Sequence, residues 1–91
     1  MVDVADNSAK SRFEAMIDGE VAGQIDYQIQ GGVITYTHTG VPAAFEGKGI
    51  ASALAKFALD QARSQGQVVV PRCPFIAEYI NRHPQYEDLL A

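Results

Sequence analysis

The sequence contains a single cysteine, Cys73, and it has no long basic segment. One cysteine excludes an internal disulfide, and with no histidine nearer than His83 the chain has no zinc-ligand spacing, so no metal site is expected. The net charge of −4 leaves nucleic-acid binding without its usual electrostatic source. We therefore expect neither a nucleic acid nor a membrane as a partner.

Long apolar segments are also missing. No run approaches the roughly 20 residues that span a bilayer. The opening segment, MVDVADNSAKSR, lacks the basic-then-apolar layout of a secretory signal. These two features predict a cytoplasmic protein.

The composition that remains is ordinary for a globular chain. Of the 91 residues, 47% are hydrophobic and 20% are charged, which predicts a packed core. A chain of this length fits one domain. We expect a loose N-terminus without a function over residues 1–10 and a single domain over residues 11–91.

The sequence pattern in the first half of that domain is typical of antiparallel strands. Apolar and polar residues alternate over residues 13–17, over residues 21–29, and again in the segment VITYTHT. Asp18-Gly19 and Gly31-Gly32 separate these runs, and such pairs favour tight hairpin turns. The pattern predicts three antiparallel strands.

The second half changes period. From Ile50 to Ala62 apolar residues recur every three or four positions, which predicts an amphipathic helix of roughly four turns that stops at Gly66. The unbroken apolar run QVVVP predicts a strand buried on both faces. Pro74 and Pro84 then bracket a short second helix.

Strand, helix and strand over residues 33–71 form one β-α-β unit, and such crossovers are parallel and right-handed in nearly every case. The loop after Thr39 and the turn at Arg72-Cys73-Pro74 should therefore meet at one edge of the sheet, where open sheets bind ligands. The expected fold is α+β: a twisted, mostly antiparallel sheet with one β-α-β crossover and two helices.

The segment that leads into the long helix, FEGKGIASAL, contains two glycines, whose backbone no side chain covers. The start of a helix leaves amides unpaired and carries partial positive charge. Gly47 and Gly49 remove side chains that would hold a phosphate away from those amides, and Lys48 adds a formal charge. Lys48 is not followed by Ser or Thr, which excludes a P-loop. Taken alone, Gly-x-Gly fits a ligand-free turn equally well.

The segments VPAAFEGKGIASALAKFALDQARSQG and VVVPRCPFIAEYINRHPQYEDLL resemble the small, single-domain branch of the GNAT superfamily of acyl-coenzyme A-dependent N-acyltransferases. The resemblance implies a GNAT-like fold and an N-acetyltransferase that uses acetyl-coenzyme A or coenzyme A. It leaves the acceptor amine, which a protein can supply, and the oligomeric state open.

The same resemblance implies a cofactor site, because the superfamily cradles the coenzyme A diphosphate on a Gln/Arg-x-x-Gly-x-Gly/Ala loop. Here Glu46 stands where Gln or Arg is usual. The pantetheine arm would pair with the backbone near Thr39 and Val41. The implied cofactor-binding residues are Thr39, Val41, Phe45, Glu46, Gly47, Lys48, Gly49, Ile50, Ala51, Ser52 and Tyr79.

Two residues are candidates for catalysis. Cys73 precedes Pro74 at a helix start, where the dipole and Arg72 favour a thiolate, although cysteine is more often a small buried residue. By resemblance it faces the reactive end of the cofactor, as acyl acceptor or proton donor. His38 is expected on the apolar face of its strand, where a histidine is most often a hydrogen-bonded structural residue. Its place beside the expected site still makes it the leading candidate for general base.

Two other functions stay open. Gly40 occupies a position where this branch commonly has a glutamate, and Gly40 and Glu46 together suggest a non-catalytic module that binds coenzyme A or acetyl-coenzyme A. The third reading is a structural or partner-binding domain without cofactor, in which the glycines only form turns.

Overall fold

Five strands form one sheet in the order β1-β2-β3-β4-β5, and the computed structural model describes residues 2–91 of the chain. The first four strands are antiparallel neighbours, whereas β5 runs parallel to β4. The strands are β1 (Asp3–Asn7), β2 (Arg12–Ile17), β3 (Glu20–Gln30), β4 (Val33–Gly40) and β5 (Val68–Pro71), and the helices are α1 (Ile50–Ser64) and α2 (Pro74–Arg82). The α+β class and its single crossover are confirmed.

The N-terminal segment differs from expectation, because five of the residues 1–10 expected to be loose form β1 and Ser8–Lys10 form a 3-10 turn. This strand pairs with β2 from Asp3↔Met16 to Asn7↔Arg12. The Tyr27 hydroxyl donates to Asp6 Oδ1 at 2.6 Å and ties the strand to the third strand of the sheet. A short edge strand with exposed carboxylates carries too few apolar positions to show a period. Met1 lies outside the described residues.

The two hairpin turns are confirmed. Asp18 and Gly19 have φ values of 49° and 80°, and Gly31 and Gly32 have φ values of 58° and 80°. Two successive positive φ values are the geometry of a type I′ turn, which suits the twist of the flanking strands. These two turns determine where β2 ends, where β3 begins and ends, and where β4 begins.

The core lies on one face of the sheet, under both helices. Alternate strand residues such as Phe13, Ile25 and Tyr36 are buried there, together with Leu54 of α1 and Ile76 of α2. The buried Tyr36 hydroxyl donates to the carbonyl of Ala58 at 2.7 Å, so its one polar atom is paired. The opposite face of the sheet is open and carries mainly polar residues.

Strand β5 is at the edge and is covered on one face only, so the expectation of burial on both faces was wrong. Val69 is fully buried, whereas Val68 is 39% exposed. The reason is that both helices pack on the same face, which leaves the other side of the valine run against the open face. The outer edge of β5 is partly paired, because Val69 forms a bridge with Leu90.

No helix within residues 2–91 combines the length and the apolar character that crossing a membrane requires.

Candidate active site

The pairing between the parallel strands β4 and β5 stops halfway along β4. Their last pair is Tyr36↔Pro71, after which the Cys73 amide donates to the Tyr36 carbonyl at 2.9 Å. Strand β4 continues to Gly40, and in the described part of the chain no strand pairs with that stretch on the β5 side. Because β5 ends at Pro71, residues 37–40 of β4 have a free edge on this side, and we call the gap beside them the split.

Cys73 lies at the bottom of this split. It is the residue before α2, and its carbonyl accepts from the amide of Ala77 at 3.1 Å. The side chain is only 4% exposed, and its sulfur lies 3.2 Å from Thr39 Oγ1, a contact in which either atom can donate. The sulfur does not cap the helix amides. The predicted meeting of the segment at Thr39 with the turn at Cys73 is thus confirmed.

His38 does not lie where its alternation predicts. A β-bulge in β4 shifts the register, so that Tyr36 pairs with Tyr27 while His38 pairs with Asp26, and Thr37 is the extra residue. Paired residues share a face of the sheet. His38 is therefore exposed on the open face, opposite to the buried Tyr36, and the expectation that they share a face was wrong.

The glycine loop follows the end of β4. After a short 3-10 turn at Ala43–Phe45, Gly47 and Gly49 take φ values of 78° and 72° and lead directly into α1. A Cβ on either glycine would meet nothing within 4 Å. The first helical bond is donated by Ala53 to the Gly49 carbonyl at 3.1 Å.

Six successive backbone amides, from residue 47 to residue 52, have no acceptor within residues 2–91. The first turn of a helix adds partial positive charge to such donors. A row of bare amides around two glycines has the chemistry of a phosphate cradle. A coenzyme A diphosphate therefore fits the residues that are present.

These amides border a depression of about 320 Å³. All the residues that line it are among those that the sequence predicts for cofactor binding: Val41, Phe45, Glu46, Gly47, Gly49, Ile50, Ala51 and Ser52. Glu46 and Lys48 are both exposed. Water screens an exposed carboxylate, so the charge of Glu46 is a weak obstacle to an anion at the amides.

Tyr79 is not among the residues that line this depression. Its ring stacks on His83 with centroids 3.9 Å apart and an interplanar angle of 15°, and His83 Nδ1 lies 2.8 Å from the Tyr79 carbonyl. Burial raises the pKa of Tyr79.

Helix α2 is held in place through the C-terminal turn at Pro84–Leu89. The Tyr86 hydroxyl donates to Asp60 Oδ1 at 2.7 Å, and Arg63 donates to both carboxylate oxygens of Asp88 at 2.9 Å. Burial and the Asp60 carboxylate raise the pKa of Tyr86 to about 12. These bonds dock the turn on α1 and so help to fix the helix that begins beside Cys73.

Residues 12–89 match the model of the GCN5-related N-acetyl-transferase family. The chain belongs to this family.

Two solved structures of GNAT proteins share the fold. A GCN5-like protein from Staphylococcus aureus, solved in solution by NMR, superposes with a TM-score of 0.75 at 20% identity, over 98% of this chain and 87% of that chain. A ribosomal-protein-alanine N-acetyltransferase from Brucella melitensis biovar Abortus 2308 gives a TM-score of 0.58 at 23% identity, over 88% of this chain and 61% of that chain. At this identity the likeness concerns the fold alone.

In this GNAT protein Gly23 of β3 lies against the first turn of α1 and against the end of β4. A Cβ on Gly23 would lie 2.9 Å from Ile50 Cγ2, 3.1 Å from Leu54 Cδ1 and 3.3 Å from the Gly40 carbonyl oxygen. The absence of a side chain at Gly23 lets the first turn of α1 sit directly on β3 beside the end of β4. An isolated glycine within a strand pattern is the signal for such an approach.

The described residues contain no group of three or more His, Cys, Asp or Glu side chains that could hold a metal ion.

Proposed function

We propose that the chain is an N-acetyltransferase that moves an acetyl group from acetyl-coenzyme A to an amine whose identity is open. The supporting observation is the row of six unpaired amides at the start of α1, next to a split strand edge and the Cys73 sulfur. Bound acetyl-coenzyme A supplies an activated acetyl thioester. The acceptor loses one proton and gains the acetyl group, and the coenzyme leaves as a thiol.

The glycine loop would bind the diphosphate. The amides of residues 47–52 supply donors without making the surface basic, which suits a chain with a net charge of −4. Lys48, exposed on the loop, adds one mobile positive charge.

The free edge of β4 would hold the pantetheine arm. An extended amide-containing chain can add to an unpaired strand edge through main-chain hydrogen bonds. Thr39 and Val41 supply that backbone, and the edge leads from the Cys73 sulfur towards the depression at the loop. The arm would thus be oriented with its reactive end at Cys73.

Cys73 would act at the thioester in one of two ways. As an acyl acceptor its thiolate would attack the carbonyl carbon, so that a thioester bond to Cys73 forms and the bond to the coenzyme sulfur breaks. The amine would then take the acetyl group from Cys73, which leaves as the thiolate. As a proton donor it gives the S–H proton to the departing coenzyme sulfur. His38 lies on the open face, so it would take a proton only from an amine that arrives on that side.

Thiol release from acetyl-coenzyme A, followed with a panel of amines, tests this function. We expect amine-dependent release that falls on Cys73→Ala, with coenzyme A binding retained in calorimetric titration. The matched control is Cys73→Ser, which keeps the size but not the acidity of the thiol. Release that is unaffected by both substitutions would remove Cys73 from the chemistry.

The second candidate is a module that binds coenzyme A without turnover, and Gly40 favours it. Gly40 has no side chain, so this position supplies no carboxylate that could orient an amine. Heat on titration with coenzyme A, with no thiol release for any amine, would identify the binding module. No heat at millimolar ligand would instead favour a domain without cofactor.

A further inference from the structure

The Cys73 sulfur has one hydrogen-bond partner within the described residues, the hydroxyl of Thr39 at 3.2 Å. Cys73 is buried and Thr39 is half-buried, so the contact is partly shielded from water. A hydrogen bond in such surroundings orients a sulfur more strongly than the same bond at the surface.

The bulge at Thr37 creates this contact. Beyond the bulge Thr39 pairs with the buried Ile25, so its side chain points to the helix-covered face, where Cys73 lies. Without the extra residue the alternation would place His38 on that face and turn Thr39 to the open side. The irregularity of β4 therefore selects a hydroxyl, and not an imidazole, as the neighbour of the thiol.

We propose that Thr39 is a positioning residue for the Cys73 sulfur, and this inference rests on the proposed acetyl transfer. In the thiol form the S–H donates to Thr39 Oγ1. In the thiolate form the Thr39 hydroxyl donates to the sulfur.

The role is the same for both possible functions of Cys73. An acyl acceptor must be a thiolate before it attacks, and a proton donor becomes a thiolate when its proton moves to the coenzyme sulfur. One hydrogen bond from Thr39 stabilises the anion in either case, because a bond to a charged group is stronger than one between neutral groups.

The test compares Thr39→Val, which keeps the shape and removes the hydroxyl, with Thr39→Ser, which keeps the hydroxyl. Thr35→Val is the matched control, because Thr35 lies in the same strand on the open face opposite Gln28. The chain has one cysteine, so its infrared S–H stretching band reports on Cys73 alone and needs no substrate. Thermal melts check that each variant is folded.

We expect Thr39→Val to move the S–H band to higher frequency and to lower kcat about tenfold or more, the loss of one hydrogen bond to a charged group, with a smaller change in KM. Thr39→Ser should keep the S–H band near its wild-type frequency and recover most of the kcat lost in Thr39→Val, and Thr35→Val should keep the wild-type band and rate. An unmoved band in Thr39→Val overturns the contact, and a moved band with unchanged kcat overturns its role. If the wild type shows no turnover, the proposed function fails, and the band alone still decides the contact.

Discussion

Substitution of Gly23 by alanine should destabilise the protein, although the same change elsewhere often stabilises. The new Cβ would lie 2.9 Å from Ile50 Cγ2, closer than real side chains approach. Ile50 is 2% exposed and Leu54 is fully buried, so neither has empty space to move into. The third neighbour, the Gly40 carbonyl, is backbone and cannot rotate away.

Two opposing free energies decide the sign. Replacing glycine by alanine gains about 0.4–1 kcal/mol by restricting the unfolded chain. Overpacking a filled core costs about 1–3 kcal/mol. The steric term is larger, so we expect a net loss of about 1–2 kcal/mol. For a domain of this size each kcal/mol lowers the melting temperature by about 4–8 °C.

Urea unfolding of Gly23→Ala, Ile50→Ala and the double variant measures this contact. Ile50→Ala removes the clashing Cγ2 and alone should cost about 2–5 kcal/mol through the cavity that it leaves. In the double variant the new methyl partly fills that cavity, so its cost should be below the sum of the two. The matched control is Gly40→Ala, whose Cβ would meet only the flexible His38 ring at 3.4 Å.

The reasoning fails if Gly23→Ala is as stable as the wild type, or if the two costs simply add. Either result would mean that α1 moves away from β3 without penalty. Coenzyme A titration of the same variants then shows whether the shift of Ile50 carries the glycine loop with it, for which we expect weaker binding.

Three further predictions concern the loop, the N-terminal strand and the response to acid. Gly47→Ala should cost about 1–2 kcal/mol of unfolding free energy because φ is 78°, and it should weaken coenzyme A binding, measured by calorimetry, about tenfold or more. The control Gly66→Ala, with φ of 67°, should cost the same and leave binding unchanged. Tyr27→Phe removes the bond to Asp6 and should lower the urea midpoint by the equivalent of about 1 kcal/mol; in the wild type, burial and that carboxylate raise the pKa of Tyr27 to about 12, which alkaline titration of phenolate absorbance checks. Burial raises the pKa of Asp60, but its hydrogen bonds from lysine and tyrosine neighbours outweigh this and leave the pKa below its ordinary value. The stability that the ionised Asp60 contributes is complete above pH of about 4 and is lost as the pH falls below it. The difference in urea midpoint between the wild type and Asp60→Asn should therefore close in acid.

Local patterns in the sequence predicted most of the fold. The turns at Asp18-Gly19 and Gly31-Gly32 and the start of α2 at Pro74 depend on the φ preferences of the residues themselves, so they can be read without knowing the rest of the structure. Strand β1 could not be read in this way. Its stability comes from pairing with β2 and from the Tyr27–Asp6 bond, and both are made by distant parts of the chain.

The glycine loop was predictable for the same local reason, because unpaired amides at a helix start follow from the backbone alone. The number of covered faces of the valine run could not be predicted, since a short apolar run does not show how many layers cover it. The one valine that is fully buried, Val69, reflects helices that pack on a single face.

The sequence could not predict on which face of the sheet His38 and Thr39 lie. The alternation of VITYTHTG is regular, and nothing in it marks Thr37 as an extra residue. The bulge arises in the pairing with β3, where Asp26 and Tyr27 are consecutive but their partners are two apart. One additional residue inverts every side chain that follows it. A local rule thus locates the glycine loop and its unpaired amides, while a non-local register decides which side chain meets the thiol.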